Sequence, residues 1–259
     1  MALKELDLFH GEVDKVAVAI ARLKEFEPPE GYYLAFSGGK DSVCIKALAD
    51  MAGVKYDAHY AVTGIDPPDL VYFVREHHPD VVFERQPHHM LTQVEKRGFP
   101  HRNARWCCAY LKENKGEGRT VVTGVRRAES AKRARWKAVE PCATEGKWYV
   151  HPIIDWLDED VWEFIHGNEI PYCKLYDEGW TRIGCLFCPL ARKSEKRICE
   201  EQYPGYVRAF KRAFERLYAR RKAQGKQAIA KWDNADEMWE WYLYGEDEGE
   251  DNGTGSLFD

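Results

Sequence analysis

A glycine turn at residues 37–42 carries the residue types that bind phosphate. It follows a short apolar run and precedes a helical pattern, and its residues are Ser37, Gly38, Gly39, Lys40, Asp41 and Ser42. Glycine lets the backbone turn sharply, and the first turn of a helix offers unpaired N–H groups and the positive end of the helix dipole. The turn therefore predicts an anion site, and phosphate is the expected ligand. Its spacing matches neither GxxxxGK[ST] nor GxGxxG, which excludes the usual P-loop and dinucleotide motifs.

A group of arginines follows a later β-rich run at residues 121–124. Arg126, Arg127 and Arg133 lie close together in the sequence, with Ser130 between them. Arginine forms paired, charge-assisted hydrogen bonds to phosphate or sulfate oxygens, in a geometry that lysine cannot match. The group therefore predicts an anion clamp, and a solvated surface patch is the alternative.

Four of the eight cysteines occur as two close pairs, Cys107 with Cys108 and Cys185 with Cys188. We expect a reducing compartment, where cysteines act as metal ligands, catalytic thiols or core residues more often than as disulfides. The CxxC spacing lets two sulfurs bind one metal centre. The pattern therefore predicts a metal site, with a redox disulfide as the alternative. The remaining cysteines are assigned as substitutes for one of the adjacent pair (Cys173, Cys199) or as core or surface residues (Cys44, Cys142).

The elements that position these residues alternate between helices and strands. Helical spacing of apolar residues occurs at residues 12–26, 43–51, 69–77 and 158–166. Short apolar or β-branched runs occur at residues 34–36, 56–62, 81–82 and 121–124. Such alternation predicts a doubly wound α/β fold, with a mostly parallel sheet, helices on both faces and ligands at the carboxyl ends of the strands. Residues 206–231 predict a further helix, whose basic face is either a solvated surface or a contact for nucleic acid.

On this pattern the chain divides into five parts. These are a leading helix (1–30), an α/β nucleotide-binding domain (31–165), a cysteine-bearing segment (166–200), a helical region (201–245) and an acidic tail (246–259). The tail holds six acids and no base, so it accounts for the formal net charge of −5, and its composition predicts disorder. Because the sequence shows neither a signal-peptide pattern nor a run of about 20 apolar residues, we expect a cytoplasmic protein without membrane contact. The oligomeric state is left open.

Five segments, in order, resemble a known family. The glycine turn resembles the PP-loop of the adenine nucleotide α-hydrolase superfamily. The segments at 62–68, 107–112, 123–133 and 151–189 resemble the sulfonucleotide (phosphoadenylylsulfate) reductase family, so the resemblance spans roughly residues 30–190. It implies that Thr63, Gly64 and Gly124 lie at the nucleotide. It also implies a 4Fe–4S cluster on Cys107, Cys108, Cys185 and Cys188, with zinc as the second candidate because adjacent cysteines fit one tetrahedral ion poorly.

Two departures from the reductase pattern favour ATP as the substrate. The reductases typically lack the lysine and aspartate of the turn, whereas Lys40 and Asp41 are both present here. The reductases also carry a catalytic cysteine near the C-terminus, whereas no cysteine follows Cys199. We therefore expect a PP-loop ATP pyrophosphatase that uses Mg²⁺ and cleaves at the α-phosphate. Lys40 would offset charge on the leaving group, Asp41 would bind Mg²⁺, and Arg126 and Arg127 would complete the catalytic set.

Two other functions stay open. One is a genuine sulfonucleotide reductase that releases sulfite, with Cys173 or Cys199 as its thiol. The other is a non-catalytic module that binds nucleotides or nucleic acid within a defence or modification complex. The resemblance extends to PP-loop enzymes that transfer sulfur to nucleic acids, so the expected partners are an adenine nucleotide and either nucleic acid or a sulfur-transfer protein.

Overall fold

Within the described residues, two short strands precede the leading helix. The structure, a computed structural model, describes residues 3–7, 11–113, 115–142, 146–225 and 231–245. Strands β1 (Lys4–Asp7) and β2 (Gly11–Asp14) pair antiparallel before helix α1 (Lys15–Glu25). Residues 12–14 were predicted to be helical, but they form part of β2. The Asp14 side chain accepts hydrogen bonds from the N–H groups of Val16 and Ala17, so the helix starts only after Asp14.

A mostly parallel sheet forms the centre of the fold. Its strands in the described residues are β3 (Tyr32–Ala35), β4 (Tyr56–Val62), β5 (Val82–Arg85), β6 (Thr120–Val122), β7 (Val139–Pro141) and β8 (Trp148–Val150). They lie in the order β5-β4-β3-β6-β8-β7, and all neighbours pair in parallel except β7 with β8. The predicted fold class is confirmed, whereas β7 and β8 were not predicted.

Helices connect the strands and form the C-terminal region. The described helices after α1 are α2 (Lys40–Ala52), α3 (Pro68–His77), α4 (Met90–Arg97), α5 (Trp106–Cys108), α6 (Asp158–Gly167), α7 (Lys193–Gln202), α8 (Pro204–Ala223) and α9 (Ala235–Glu240). Helix α8 ends earlier than the predicted 231, and residues 226–230 lie outside the described residues, as does the predicted disordered tail at 246–259. Throughout the described part of the chain, each helix is too short or too polar to span a bilayer.

Two apolar clusters hold these elements together. The first joins the sheet to α1, α2, α3 and α6, with Leu34 and Phe164 fully buried in it. The second joins α4, α5, α8 and α9, and its large members Phe214 and Trp239 are fully buried. The second cluster also contains Cys107 and Cys108 of α5. The C-terminal helices therefore pack on α5 and fix its position beside the sheet.

Candidate functional site

The two predicted anion-binding segments meet at the centre of the sheet. Strands β3 and β6 are neighbours, and the chain continues from them toward opposite edges of the sheet. The carboxyl ends of two such strands bound a crevice where ligands of doubly wound folds bind. The glycine turn follows β3 and the arginine segment follows β6, so the structure brings both to this crevice.

Close packing explains two of the glycines. Gly38 has a φ of 77°, and a Cβ added there would lie 2.7 Å from Val74 and 2.8 Å from Leu70, so α3 packs directly against the turn. A Cβ added to Gly124 would lie 2.9 Å from the Cβ of Asp41. A side chain at Gly38 would therefore push α3 away from the turn, and one at Gly124 would push the arginine segment away from the start of α2.

The first turn of α2 directs its N–H groups toward hydroxyl oxygens. Gly39 is the N-cap residue and supplies no side-chain cap. The Gly39 N–H donates to Ser37 Oγ at 3.4 Å, and the Lys40 N–H donates to Tyr176 Oη at 3.0 Å. The Ser42 hydroxyl donates to the Gly39 carbonyl at 2.8 Å and so closes the turn. These contacts leave a ring of N–H and O–H groups at the positive end of the helix.

Four charged side chains form a connected network above this turn. Arg126 Nε lies 2.6 Å from Asp41 Oδ1, and Arg126 Nη2 lies 2.9 Å from Asp158 Oδ1. Lys40 Nζ lies 3.1 Å from the same Asp158 oxygen. Burial alone would lower the pKa of Arg126, but the nearby carboxylates, led by Asp41, raise it. Both cations are buried, and the two carboxylates balance their charge in the wall of the crevice.

The predicted arginines separate into two groups. Arg133 is buried, lines the crevice with Ser130 and pairs with Glu129 at 2.6 Å, so it joins Arg126 at the site. Arg127 is partly exposed, pairs with Asp155 and is not among the residues that line the crevice. The structure therefore brings two of the three arginines to the crevice, and Arg126 contacts the glycine turn through Asp41.

Thr63 and Gly64, the predicted pair at the end of β4, lie behind the residues that line the cavity. Thr63 is buried, and its N–H donates to Asp66 Oδ2 at 3.1 Å. Gly64 has a φ of 78°, and its carbonyl accepts a hydrogen bond from His89 Nε2 at 3.2 Å. Neither residue lines the cavity, whereas Ile65 and Asp66 do, so this pair shapes the wall rather than forming it.

The four predicted cysteines converge. The pKa of Cys107 is raised by its hydrogen bond with Cys108, by burial, and by the neighbouring thiols Cys188 and Cys185. Burial raises the pKa of Cys185 to about 12, and Cys188 and Cys108 add to that shift. All four cysteines also line the same cavity. In the residues that the structure describes, however, no three histidine, cysteine or acidic side chains are arranged to hold a metal ion.

The CxxC loop is held from two sides. The Leu186 N–H donates to the Ile65 carbonyl at 2.8 Å, and the Tyr242 hydroxyl donates to the Phe187 carbonyl at 2.6 Å. Phe187 has a φ of 56°, a left-handed conformation that is costly for a phenylalanine. The strand-end segment and the C-terminal turn thus stabilise a strained loop between Cys185 and Cys188.

The other cysteines differ in their distance from this cluster. Cys199 is buried and lines the same cavity. Cys173 is fully buried in the first apolar cluster and does not line the cavity. Cys44 is buried on α2, and Cys142 is half-buried near the sheet edge. Of the two predicted substitutes for a cluster cysteine, Cys199 is therefore the one placed beside it.

One large cavity is lined by both the glycine turn and the cysteines. Its volume is about 1410 Å³, larger than the ~300–1,000 Å³ typical of small-molecule pockets. Residues of the glycine turn, Arg126, Arg133 and the four cysteines all line it. The cavity can hold a nucleotide together with a second reactant.

Comparison with known proteins assigns the family. Residues 31–191 match the family described as the phosphoadenosine phosphosulfate reductase domain. The chain belongs to this family. The phosphoadenylyl-sulfate reductase of Candida auris, solved as a phosphate complex, superposes with a TM-score of 0.52 at 16% identity, covering 67% of this chain and 88% of that one. This likeness confirms the fold of a phosphoadenosine phosphosulfate reductase domain.

Curated relatives include both uncharacterized proteins and reductases. An uncharacterized protein of Methanocaldococcus jannaschii is 33% identical over 183 residues, which cover 66% of this chain and 44% of that protein. A second protein of that archaeon is 28% identical over 223 residues, covering 80% and 45%. The chain thus spans less than half the length of these two relatives. The adenosine 5′-phosphosulfate reductase of Bacillus thuringiensis subsp. konkukian is 26% identical over 206 residues, covering 72% and 86%.

Two site residues of this family member were not predicted from the sequence. Asp158 was noted only as the start of a helix, and Tyr176 was not considered. Asp158 pairs with both Lys40 and Arg126, and Tyr176 contacts the backbone of Lys40. The available signal for Asp158 was its place at the beginning of the helix after β8, at the carboxyl edge of the sheet, where ligands bind.

A buried histidine under the arginine segment makes the stability of this reductase-family domain depend on pH. His151 is fully buried and lies 2.7 Å from Thr123 Oγ1. Burial, followed by the charge of Arg133, lowers the pKa of His151 to about 3. Because the unfolded chain binds the proton near pH 6.5, the free energy of unfolding falls as pH drops from about 6.5 toward 3. At pH 5 this residue should account for a loss of about 2 kcal/mol.

Urea unfolding at pH 7.5 and pH 5 measures this loss, with His151→Gln as the comparison. The variant should lose less stability between the two pH values, although its stability at pH 7.5 is expected to be lower. Burial also lowers the pKa of His78, to about 4, but this residue adds the same pH dependence of unfolding to the wild type and to the variant. An equal pH dependence in both proteins would rule out His151 as a source.

Proposed function

We propose that the chain is a PP-loop enzyme that binds ATP and cleaves it between the α- and β-phosphates, with release of pyrophosphate. The observation that carries this proposal is the pair of buried cations, Lys40 and Arg126, beside the N-terminal N–H groups of α2. Burying a cation is costly unless an anion neutralises it. Asp41 and Asp158 do so in the protein alone, and a triphosphate would supply stronger anionic partners at the same place.

The same network has the donors for Mg²⁺. Magnesium is usually held by one or two carboxylates together with phosphate oxygens. A triphosphate that pairs with Lys40 and Arg126 would release carboxylate oxygens of Asp41 and Asp158, both of which line the cavity. The carboxylates therefore fit a magnesium ion that would neutralise phosphate charge.

The reaction requires mainly positioning and charge neutralisation from the protein. The hydroxyl and N–H groups of residues 37–42 would bind the β- and γ-phosphates, and Lys40 Nζ would oppose charge that develops on the leaving pyrophosphate. Arg126 and Arg133 would hold the α-phosphate or the acceptor. None of these roles needs a nucleophilic side chain, since water or an acceptor attacks phosphorus.

We propose further that Cys107, Cys108, Cys185 and Cys188 hold a 4Fe–4S cluster, with zinc as the second candidate. Support comes from the burial and mutual proximity that raise the pKa of Cys107 and Cys185, because thiolates in such a place need a cationic centre to compensate them. When bound, the cluster would supply redox or sulfur chemistry at the far end of the cavity. A nucleic acid or a sulfur-transfer protein as the acceptor or partner belongs to this proposal.

A reductase is the second candidate function. It is favoured by the adenosine 5′-phosphosulfate reductases among the relatives. The match to the Bacillus thuringiensis reductase covers 86% of that protein. That reaction needs a thiol that attacks the sulfur of the sulfonucleotide, displaces the nucleotide and holds the sulfo group until an external dithiol, itself oxidised to a disulfide, releases it as sulfite. Cys199 is the cavity-lining cysteine outside the four predicted cluster ligands, and it would fill that role.

Product analysis distinguishes these functions. Anaerobically purified protein is incubated with ATP and Mg²⁺, alone and with total cellular nucleic acid, and pyrophosphate and AMP are measured. A parallel sample receives adenosine 5′-phosphosulfate and a dithiol, and sulfite is measured. Pyrophosphate release without sulfite is the expected result. Sulfite release would establish the reductase, and ATP binding without any product would indicate a nucleotide-binding module.

A further inference from the structure

Tyr176 places a hydroxyl group inside the glycine turn. It lies in the 3₁₀ turn Lys174–Tyr176, far along the chain from residues 37–42. Its Oη accepts the Lys40 N–H at 3.0 Å, and a Cβ added to Gly39 would lie 3.4 Å from that oxygen. The Lys40 ammonium lies 5.6 Å from the centre of the tyrosine ring. The hydroxyl therefore lies at the same N–H groups that a phosphate would approach.

The Tyr176 hydroxyl has a proton that it can still donate. A phenol both accepts and donates hydrogen bonds, and Tyr176 accepts one from Lys40. Within the part of the chain that the structure describes, no group accepts the Tyr176 proton. Burial, with the charge of Asp41 adding to it, raises the pKa of Tyr176, so the hydroxyl keeps its proton at neutral pH. A proton held among N–H groups and an ammonium is suited to an anionic oxygen.

The segment that carries Tyr176 is fixed on several sides. The ring packs edge-on against Trp162 of α6, with 5.0 Å between the ring centres. Lys174 pairs with Asp69 in the first turn of α3 at 3.0 Å. Further along, the Thr181 carbonyl lies 3.4 Å from Lys40 Nζ. The hydroxyl is thus held in place before any ligand arrives, which lowers the entropic cost of using it.

We propose that Tyr176 is a phosphate-positioning residue, whose hydroxyl is held by the Lys40 N–H and donates its proton to an oxygen of the β,γ-pyrophosphate. This inference rests on the proposed function, since it presupposes a phosphate in the turn. The bond from N–H to hydroxyl polarises the O–H group and strengthens its donation to an anion. Tyr176 in this way extends the anion site of residues 37–42 by one donor.

Binding of inorganic pyrophosphate with Mg²⁺, measured by calorimetry, tests the inference. We expect Tyr176→Phe to bind about tenfold more weakly than the wild-type protein, the effect of losing one hydrogen bond to a charged group. Tyr172→Phe is the matched control, because its hydroxyl donates to Asp177 Oδ1 at 3.0 Å and Tyr172 does not line the cavity. Its affinity should stay within twofold of the wild-type value.

Hydrogen exchange at the Lys40 amide tests the bond that holds the hydroxyl, and the melting temperature tests whether the variant stays folded. In the absence of pyrophosphate, the Lys40 N–H should exchange faster in Tyr176→Phe than in the wild type, while both proteins melt at similar temperatures because the ring still packs against Trp162. Equal pyrophosphate affinities of the variant and the wild type would overturn the role of Tyr176 and leave the proposed function intact. Failure of the wild type to bind pyrophosphate or ATP would overturn both.

Discussion

Replacement of Lys40 by alanine is expected to slow pyrophosphate release ~10²–10³-fold, the effect typical of removing one preorganised charge-stabilising group. Lys40 Nζ is buried at the glycine turn and is held 3.1 Å from Asp158 Oδ1. Its charge therefore lies where the leaving pyrophosphate would gain negative charge. Alanine would leave that charge to the N–H groups of the turn and to Arg126.

The measurement is a continuous pyrophosphate assay at saturating ATP, with Arg127→Ala as the control. Arg127 comes from the arginine segment that was predicted to clamp the ligand, but it pairs with Asp155 and does not line the cavity. Its removal should change the rate less than threefold. A rate for Lys40→Ala equal to that of the wild type would contradict the proposed role of the glycine turn. The loss should appear in kcat, because the charge is needed most in the transition state.

The central fold and the crevice were predictable because they depend on local patterns. Alternating helical and strand periodicity determines an α/β sheet, and the glycine turn marks the carboxyl end of β3 through its own residue types. The adjacency of β3 and β6 then follows from the common doubly wound strand order. Strands β7 and β8 were missed because three residues show no period and neither strand has a β-branched run like the one that marks the equally short β6.

The choice between adjacent arginines could not be predicted. Arg126 has extended backbone angles (φ −126°, ψ 143°), and Arg127 begins a 3₁₀ turn, so the two side chains leave the chain in different directions. Identical residue types at consecutive positions give no signal of which one enters the crevice. Tertiary packing decides it, through Asp41 on one side and Asp155 on the other.

Contacts between segments that are distant in the sequence could not be predicted either. Tyr176 and Lys40 are 136 residues apart, and Arg126 and Asp158 are 32 residues apart. Their meeting depends on how the segment after Cys173 crosses α2 and on where α6 begins. The sequence pattern does not indicate that oxygens of Tyr176 and Asp158 both contact Lys40.

Substitution of Cys185 by serine is expected to abolish binding of the proposed iron–sulfur cluster. Cys185 is one of four thiols whose proximity raises the pKa of its neighbours, and it lies in a loop fixed by the bonds of Leu186 and Phe187. A serine hydroxyl binds iron far more weakly than a thiolate, so the site would keep three ligands. Anaerobically purified wild-type protein should show the broad visible absorption of a cluster and contain iron and sulfide, and Cys185→Ser should lose all three.

Two further cysteines make this experiment decisive. Cys142→Ser changes a half-buried thiol that does not line the cavity, and it should retain full iron content. Cys199→Ser changes a thiol that does line it, and it should also retain iron if the adjacent pair Cys107 and Cys108 supplies two ligands. Loss of iron from Cys199→Ser with retention in Cys108→Ser would instead make Cys199 the fourth ligand, and Cys108 would then be the thiol left free for chemistry. Zinc without sulfide in the wild type would contradict the cluster while leaving the four-cysteine site in place.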